Sequence, residues 1–242
     1  MEKYHERLIK FKEIAANSEN IVFFGGAGVS TESGIPDFRS QDGLYNQSYK
    51  HSPETIISKS FFYRNTSEFY RFYKDKMLYK DAKPNPAHIK LAELERDGKL
   101  LAVITQNIDN LHQEAGSKNV LELHGSLHRN FCQDCGRAFA GIDVILDAED
   151  VPRCACGGII KPDVVLYEEP LAPDILEKSI KAIEQADTLI IGGTSLVVYP
   201  AAGLVNYFHG KHIVVINKAQ ISANSRAELL FDENIGKVFG DL

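Results

Sequence analysis

The chain has 242 residues, 44% of them hydrophobic and 25% charged, and 33 acidic against 27 basic side chains give a formal net charge of −6. This composition excludes a disordered chain, a collagen-like repeat and a coiled coil, and the length fits one large domain or one domain with an insertion. The acidic balance argues against a nucleic-acid-binding surface. No apolar run approaches the ~18 residues of a membrane span, and the N-terminal residues lack the apolar segment of a signal peptide, so we expect a cytoplasmic protein.

Apolar runs and amphipathic patterns alternate along most of the chain. Residues 4–16 have the spacing of a helix, and the run 21–24 that follows them predicts a buried strand. Further strands are predicted at 100–104, 120–123, 164–167, 188–191 and 212–216, and further helices at 86–97, 171–185, 200–208 and 222–230. Continuous apolar strands between amphipathic helices indicate an α/β fold with a parallel sheet that is covered on both faces.

Two stretches interrupt this alternation. Residues 41–84 are rich in aromatic side chains and look helical over 58–78, whereas residues 128–161 carry every cysteine and only a weak strand pattern. We interpret both as insertions at one end of the sheet that build a smaller second lobe. A cleft between the two lobes would be the natural place for a ligand.

A glycine turn follows the first predicted strand directly. Gly26 and Gly28 form a G-x-G pattern, which lets the backbone turn tightly and approach a pyrophosphate. Two features of the usual dinucleotide fingerprint are missing: Thr31 replaces its third glycine, and no acidic residue ends a second strand about 20 residues on. Pro36 also ends the crossover helix early, so residues 34–43 are expected to form a loop. The glycines alone fit a plain strand-to-helix turn as well as a nucleotide site. The loop carries Asp37, Phe38 and Arg39. The aromatic ring could cover a nucleotide and the guanidinium could pair with its charge, which favours the nucleotide site over the plain turn.

Polar residues follow several predicted strands. In an open α/β sheet, ligands bind beyond the carboxyl ends of the strands, so these side chains are expected near the glycine turn. The ordinary pKa of His124 suits a base near neutral pH, and Asn107 and Asp109 would both contact sugar hydroxyls. Taken singly, each of the three is more readily explained as a capping residue or a structural histidine. Other strand ends carry Gln106, the run Gly193-Thr194-Ser195 and the pair Asn217-Lys218.

The four cysteines form two closely spaced pairs. Cys132 and Cys135 have C-x-x-C spacing, Cys154 and Cys156 have C-x-C spacing, and glycines flank both pairs. Two such knuckles predict a tetrahedral zinc site, and four thiolates leave no open coordination position, so the zinc would be structural. The alternatives are four unrelated buried cysteines and a redox C-x-x-C, and the second pair argues against the redox motif.

Taken together, these motifs resemble the sirtuins, which are NAD-dependent protein lysine deacylases. The matching stretches run in the family's order over nearly the whole chain: GAGVSTESGIPDFR (26–39), TQNIDNLH (105–112), LHG (123–125), the cysteine pairs, KPDVV (161–165), GTSLVVYPAA (193–202) and IN (216–217). The resemblance implies a Rossmann-like, doubly wound large domain formed by 1–40, 85–127 and 162–242. It also implies a small domain made of a helical module, 41–84, and a zinc module, 128–161.

The reaction and its site residues are likewise implied by the resemblance. The acyl oxygen of an N-acyl-lysine would attack the ribose of NAD as nicotinamide leaves, and the products would be lysine, nicotinamide and O-acyl-ADP-ribose. His124 would be the general base, and Asn107 and Asp109 would face the nicotinamide and its ribose. The implied NAD site comprises Gly26, Ala27, Gly28, Thr31, Asp37, Phe38, Arg39, Gln106, Asn107, Ile108, Asp109, His124, Gly193, Thr194, Ser195, Asn217, Lys218 and Ile235. An extended acyl-lysine peptide is expected along Val165, Leu166, Tyr167, Glu168, Leu196, Val197 and Val198. A monomer that binds neither nucleic acid nor membrane is expected.

Three features depart from the family pattern. The second cysteine pair is C-x-C where C-x-x-C is commoner, and Glu168 replaces a glycine with a charged side chain that would favour basic peptides or narrow the groove. Family members that prefer succinyl groups carry a Tyr and, three residues on, an Arg, at positions where this chain has Tyr70 and Tyr73. Without that cation, an apolar pocket of Tyr70, Phe72 and Tyr73 is expected to accept acetyl and longer neutral acyl groups.

Three other functions fit parts of the pattern. An NAD-dependent mono-ADP-ribosyltransferase is the main alternative, although His124 and the complete peptide-binding strand favour deacylation. A hydride-transferring dehydrogenase is disfavoured by the missing ribose-binding acid and by the short loop after the glycine turn. The polar residues at the strand ends and the net charge argue against a zinc-ribbon module that only binds nucleic acid.

Overall fold

The computed structural model describes residues 2–38, 43 and 50–242, so Arg39 of the predicted NAD site lies outside the described residues. The described strands are β1 (Ile21–Gly25), β2 (Leu100–Thr105), β3 (Val120–Glu122), β4 (Gly125–Cys132), β5 (Ala138–Ala140), β6 (Ile160–Val164), β7 (Thr188–Gly192), β8 (His212–Ile216) and β9 (Leu229–Phe231). The described α-helices are α1 (Glu2–Asn17), α2 (Pro53–Ile56), α3 (Lys59–Arg64), α4 (Thr66–Lys76), α5 (Pro86–Arg96), α6 (Leu111–Glu114), α7 (Asp143–Leu146), α8 (Pro173–Gln185) and α9 (Ile235–Asp241).

Six strands form one parallel sheet in the order β3-β2-β1-β7-β8-β9. β1 pairs with both β2 and β7, and all of its residues are buried. Its side chains alternate, because Val22 and Phe24 belong to the core on one face and Phe23 to the core on the other. α8 covers the first face, and α1, α5 and α9 cover the second. The predicted α/β fold with a sheet covered on both faces is confirmed.

The smaller lobe is built around a second sheet, which is antiparallel and has the order β5-β4-β6. An aromatic core lies beside it, to which α3 and α4 contribute the almost wholly buried rings of Phe62, Phe69, Tyr70 and Tyr73. Apolar side chains from β4 and β6 join the same core, so the helical segment and the cysteine-bearing segment share one interior. The predicted boundaries after residues 127 and 161 fall within β4 and β6.

Several predicted elements differ from the structure. The strand predicted at 164–167 is wrong, because β6 ends at Val164 and the N–H of Tyr167 donates to the carbonyl of Ile57, 3.1 Å away, in the helical segment. The helix predicted at 222–230 is also wrong, because a 3₁₀ turn at Ser222–Arg226 leads into β9, the outermost strand of the parallel sheet. A strand this short has no measurable periodicity.

The remaining differences concern helix type and continuity. The helix predicted at 200–208 is a 3₁₀ helix, Ala201–Tyr207, and the helix predicted at 58–78 is broken at Asn65 between α3 and α4. None of the helices in the described part of the chain has both the length and the apolar character needed to span a bilayer.

Candidate functional site

Two glycine turns meet at the middle of the parallel sheet, one after β1 at Gly26 and Gly28 and the other after β7 at Gly193. The strand order runs from β1 to β3 on one side and from β7 to β9 on the other, so the turns lie at the switch point where α/β sheets bind ligands. The N–H of Gly28 donates to the carbonyl of Gly193 at 2.8 Å, and a Cβ on Gly28 would lie 2.8 Å from the Gly193 Cα. Glycine is required for this close approach, which forms a cradle suited to a pyrophosphate.

A cavity of about 1160 Å³ lies beyond these turns and is lined by both lobes. Its lining contains all the described members of the predicted NAD site, namely Gly26, Ala27, Gly28, Thr31, Asp37, Phe38, Gln106, Asn107, Ile108, Asp109, His124, Gly193, Thr194, Ser195, Asn217, Lys218 and Ile235. The structure therefore brings together residues from six separate parts of the sequence. Their contacts with NAD stay a prediction.

Ser30 connects two of the predicted catalytic residues. Its hydroxyl donates to Asp109 Oδ2 at 2.6 Å and accepts from Asn107 Nδ2 at 3.0 Å, and Ser30 and Asn107 are both buried. Asp109 Oδ1 accepts a further hydrogen bond from the N–H of Leu111 at 3.0 Å. Burial raises the pKa of Asp109 above its ordinary value, and the hydrogen bonds from Ser30 and Leu111 oppose that shift. Sequence reasoning did not single out Ser30, although its place inside the glycine turn, facing two strand ends, was a usable signal.

A further polar contact joins the end of β2 to the second glycine turn. Gln106 Nε2 donates to the hydroxyl of Thr194 at 2.9 Å, so the end of β2 is tied to the turn after β7. At the far end of the cavity, the N–H of Asn217 donates to the carbonyl of Phe231 at 2.8 Å, and the side chain of Ile235 is buried. β9, which the sequence did not predict as a strand, therefore supports the part of the cavity assigned to adenosine.

His124 follows β3 by two residues and is hydrogen bonded through one ring nitrogen. Its Nδ1 lies 2.9 Å from the carbonyl oxygen of Gln106. Since a carbonyl oxygen only accepts, Nδ1 carries the proton and Nε2 is left as the basic atom. Burial lowers the pKa of His124 below its ordinary value, and the hydrogen bond to Gln106 opposes this shift. The ring is therefore neutral at neutral pH and can accept a proton at Nε2.

The two segments predicted to hold a peptide lie at the same cavity, but not every residue faces it. Val165, Leu166, Tyr167, Glu168 and Val198 line the cavity, whereas Leu196 and Val197 do not. The N–H of Val165 donates to the carbonyl of His124 at 3.0 Å, which joins the first segment to the predicted base. Leu196 points into the core and is 6% exposed, so its side chain is structural.

Glu168 lines the cavity and also contacts the helical segment. Its backbone has a positive φ of 74°, a conformation that disfavours residues other than glycine. Its carboxylate accepts from the N–H of Ser60 at 2.8 Å and from the Ser60 hydroxyl at 2.9 Å. The N–H of Lys59 also donates to the carbonyl of Tyr167 at 2.9 Å. The carboxylate of Glu168 is thus held at the start of α3 by uncharged donors and keeps its negative charge at the cavity wall. Its effect on basic peptides stays a prediction.

The aromatic residues proposed for the acyl pocket have different surroundings. Tyr73 lines the cavity, and its buried hydroxyl has no hydrogen-bond partner among the described residues. Tyr70 does not line the cavity, because its hydroxyl donates to the carbonyl of Ile160, and Phe72 is likewise absent from the lining. The expected pocket of three rings is therefore wrong in two of its members. The cavity surface around Tyr73 is completed by Ile57, Met77, Leu127, Ile142 and Val164.

The four cysteines form one cluster whose Sγ atoms all lie within 4.8 Å of one another. The Sγ atoms of Cys132 and Cys156 are 3.4 Å apart, and those of Cys135 and Cys154 are 3.7 Å apart. Zinc–sulfur bonds of about 2.3 Å at tetrahedral angles place sulfurs about 3.8 Å apart, so the set fits zinc despite its C-x-C pair. A hydrogen bond from the backbone N–H of Cys135 is the main reason that the pKa of Cys132 falls to about 7. A backbone hydrogen bond from Gly158 lowers the pKa of Cys156, but contacts with the Cys132 and Cys135 side chains outweigh it and raise this pKa to about 12, so within this pair the thiolate is favoured at Cys132.

Comparison with known proteins gives a consistent result. The Sir2 family model matches residues 26–200. An NAD-dependent protein deacetylase of Clostridium perfringens (strain 13 / Type A) is 60% identical over 239 residues, covering 97% of this chain and 98% of the relative. A Sir2 variant solved with a deacetylated p53 peptide and 3′-O-acetyl ADP ribose has a TM-score of 0.89 and 38% identity, covering 97% of this chain and 96% of that one. A Sir2 complex with a p53 peptide and NAD+ has a TM-score of 0.83 and 40% identity, covering 95% and 94%.

Proposed function

Since the chain belongs to the Sir2 family and is an NAD-dependent protein deacetylase, we propose that His124 is its general base and that the cavity holds NAD and an acyl-lysine together. NAD supplies the ADP-ribosyl group that accepts the acyl group as nicotinamide leaves, so the products are lysine, nicotinamide and O-acyl-ADP-ribose. The observation that carries this proposal is the hydrogen bond from His124 Nδ1 to the Gln106 carbonyl, because it leaves Nε2 free to take a proton.

The remaining residues of the site bind and orient. The cradle of Gly26, Gly28 and Gly193 would let the pyrophosphate approach the backbone closely, because none of the three carries a Cβ. Asn107 and Asp109 are both held by Ser30 and would contact the nicotinamide and its ribose in a fixed geometry. Asn217, Lys218 and Ile235 would hold the adenosine half, and Arg39 is proposed for the same cofactor on the strength of the sequence motif alone.

The protein substrate is proposed to bind as an extended strand between 165–168 and 196–198. Two neighbouring Sir2 structures contain p53 peptides, which supports a peptide substrate for this chain. Pairing through main-chain groups gives affinity with little dependence on sequence. The acyl group would enter the cavity beside Tyr73.

A single structural zinc is proposed at the four cysteines. Its ligand set is complete, so the zinc would take no part in the reaction. We also propose that the protein acts as a monomer in the cytoplasm. It is proposed to bind no nucleic acid, and the net charge of −6 supports this last point. The proposed domain division is 1–40, 85–127 and 162–242 for the NAD-binding domain, with 41–84 and 128–161 as the smaller one.

Incubation of the protein with NAD and an acetyl-lysine peptide tests the function directly. Mass spectrometry should detect deacetylated peptide, nicotinamide and O-acetyl-ADP-ribose in equal amounts. Transfer of ADP-ribose to the peptide or to the protein would instead support the mono-ADP-ribosyltransferase alternative. If a His124→Ala variant turned over at a rate similar to that of the complete protein, His124 would have no part in the proposed mechanism.

A further inference from the structure

The proposed base lies beyond the end of a strand that has little support of its own. β3 has three residues and is an edge strand of the parallel sheet, and within the described chain it pairs only with β2. Its last residue is Glu122, and His124 follows two residues later. Since a displacement of about 1 Å can cost a catalytic group most of its effect, further contacts must hold His124 in place.

β6 supplies one of these contacts. The N–H of Val165, the residue after β6, donates to the carbonyl of His124 at 3.0 Å. Gly125 has a positive φ of 75°, and a Cβ at this position would lie 1.9 Å from the carbonyl oxygen of Asp163. β6 is thus packed directly against the backbone next to the base. A shift of β6 relative to β3 would therefore move His124.

The guanidinium of Arg129, on β4, connects these two strands. Its Nη1 donates to Glu122 Oε2 on β3 at 2.6 Å, and its Nε donates to Asp163 Oδ2 on β6 at 2.8 Å. Glu122 lies two residues before His124. Asp163 likewise lies two residues before Val165, which bonds the His124 carbonyl. One cation therefore bridges the two strands that hold the base.

The carboxylate of Glu122 depends on this bridge. Its side chain is only 8% exposed, and its other hydrogen bond comes from a neutral group, since Gln113 Nε2 donates to Oε1 at 2.9 Å. Without the guanidinium, a nearly buried negative charge would keep one neutral donor and would move toward water. Because Glu122 is part of β3, that movement would displace the strand end that leads to His124. The pair with Asp163 is more exposed and contributes less.

We propose that Arg129 is a positioning residue that sets the place of His124 Nε2 relative to the substrate. It acts through the two carboxylates that it bridges, because Arg129 itself does not line the cavity. The inference rests on the proposed function, since it takes His124 as the base. β4 ends at Cys132, so the same bridge connects the segment that carries the cysteines to the base.

The test uses the complete protein, with its zinc content measured, and saturating NAD and acetyl-lysine peptide. We expect an Arg129→Gln variant to lose about tenfold in kcat, while KM for NAD changes by less than about twofold. Arg137→Gln is the matched control, because Arg137 is an exposed residue of the same segment that does not line the cavity. Its kcat should match that of the unchanged protein, and a loss equal to that of Arg129→Gln would overturn the inference.

A second measurement separates positioning from a general loss of structure. If Arg129 acts only through the base, Arg129→Gln should cost little further activity in a His124→Ala variant, because the two effects then overlap. A full tenfold loss in that background would overturn the positioning role, and so would a rise in KM for NAD as large as the fall in kcat.

An Asp163→Asn variant decides the question if Arg129→Gln loses zinc or does not fold. It removes the charge from the more exposed half of the bridge, so kcat should fall by about threefold in the complete protein and hardly at all in the His124→Ala variant. Unchanged kcat in the folded variants would overturn the role of Arg129 but leave deacetylation by His124 intact. Near-normal turnover in His124→Ala alone would instead overturn the proposed base, and the inference with it.

Discussion

His124 obtains its basic Nε2 from a single contact, the Gln106 carbonyl 2.9 Å from Nδ1. We expect a His124→Ala variant to bind NAD with near-normal affinity but to lose deacetylation by at least about a hundredfold, the usual contribution of one general base. Calorimetric titration measures the affinity for NAD, and product analysis by mass measures turnover. Loss of NAD binding in parallel with turnover would show that His124 holds the cofactor and does not act as a base.

The pH profile is a second readout of the same prediction. A general base works only when it is unprotonated, so the rate is full at neutral pH and falls as the pH drops through the pKa of His124. Because burial lowers this pKa from 6.5, the acid limb of kcat/KM is expected below pH 6.5. An Asp109→Asn variant should keep that limb, since it removes the other titrating group of the site. An acid limb above pH 6.5 would contradict the assigned environment of His124.

The surroundings of Tyr73 predict which acyl groups are removed. Burial raises the pKa of Tyr73, so the phenol stays neutral, and Lys74 is turned away because its Nζ donates to the carbonyls of Ala148 and Asp150. A succinyl carboxylate placed against Tyr73 would lose hydration at a cost of several kcal/mol without gaining a charge partner. We expect kcat/KM for an acetyl peptide to exceed that for the matched succinyl peptide by more than about tenfold.

A Tyr73→Phe variant is the control for the acyl preference. It removes a hydroxyl that has no partner among the described residues, so the ratio of the two rates should hardly change. Comparable rates on acetyl and succinyl peptides would contradict the prediction. They would indicate that Lys76 or Lys80, which both line the cavity, reaches the acyl carboxylate.

Single residues also show what the sequence reveals and what it leaves hidden. Gly28 and Gly193 were predictable, because only glycine fits where a Cβ would meet backbone at less than 3 Å, and such positions leave a visible pattern. Ser30 was missed, since a hydroxyl that bridges Asp109 and Asn107 leaves no periodicity or spacing, although its place inside the glycine turn pointed to the site. Tyr70 and Tyr73 lie on one helix, yet only Tyr73 lines the cavity, because the hydroxyl of Tyr70 donates to the carbonyl of Ile160.

Among the structural elements, the peptide-binding loop is joined to the start of α3 by two backbone hydrogen bonds of Tyr167 and by the side chain of Glu168. A Glu168→Gly variant removes two hydrogen bonds to Ser60 but also relieves a positive φ that costs about 1 kcal/mol, so the melting temperature should change little. The loop would keep the two backbone hydrogen bonds of Tyr167 but would be held less firmly against α3. We therefore expect KM for the peptide to rise about fivefold, as a loss of about 1 kcal/mol implies, with KM for NAD unchanged.

Matched variants separate position from charge. Ser60→Ala removes one of the two hydrogen bonds to Glu168 and should raise the peptide KM less than Glu168→Gly does. Combining the two substitutions should add little to Glu168→Gly alone. If Glu168→Gly instead selectively weakens peptides with Lys or Arg beside the acyl-lysine, the carboxylate contacts the substrate and the positioning role is wrong.

The elements differ in how far the sequence predicted them. β1, β2, β7 and β8 were predictable because their residues are continuously apolar and buried on both faces. β9 has three residues and an exposed centre, so its pattern is too short to distinguish from a helical turn. Residues 165–167 are apolar for another reason, since all three line the cavity, and Tyr167 pairs with Ile57 and Lys59 without joining the parallel sheet.

For the whole molecule, the two lobes differ in what stabilises them. The parallel sheet has a large core on each face, whereas the residues around the cysteines have a small one in which Cys132 and Cys154 pack with Ile160. A segment with so little apolar burial depends on its metal, because zinc-binding energy is then folding energy. The residues around the cysteines should therefore unfold without zinc and loosen the aromatic core that β4 and β6 share with α3 and α4, while the parallel sheet keeps its own cores.

A Cys135→Ser variant tests this division. It leaves three thiolates, so we expect loss of zinc, faster hydrogen exchange in β4 and β6, and slow exchange retained in β1 and β7. Activity should fall in proportion to the unfolding of the smaller lobe, because that lobe supplies Val164 and Tyr73 to the cavity and the zinc itself has no open position for a reactant. Metal analysis and a Gln133→Ala variant, which changes an exposed residue between two ligands, serve as controls. A metal-free variant that stays fully folded in both lobes yet is inactive would show that zinc takes part in the reaction beyond its role in folding.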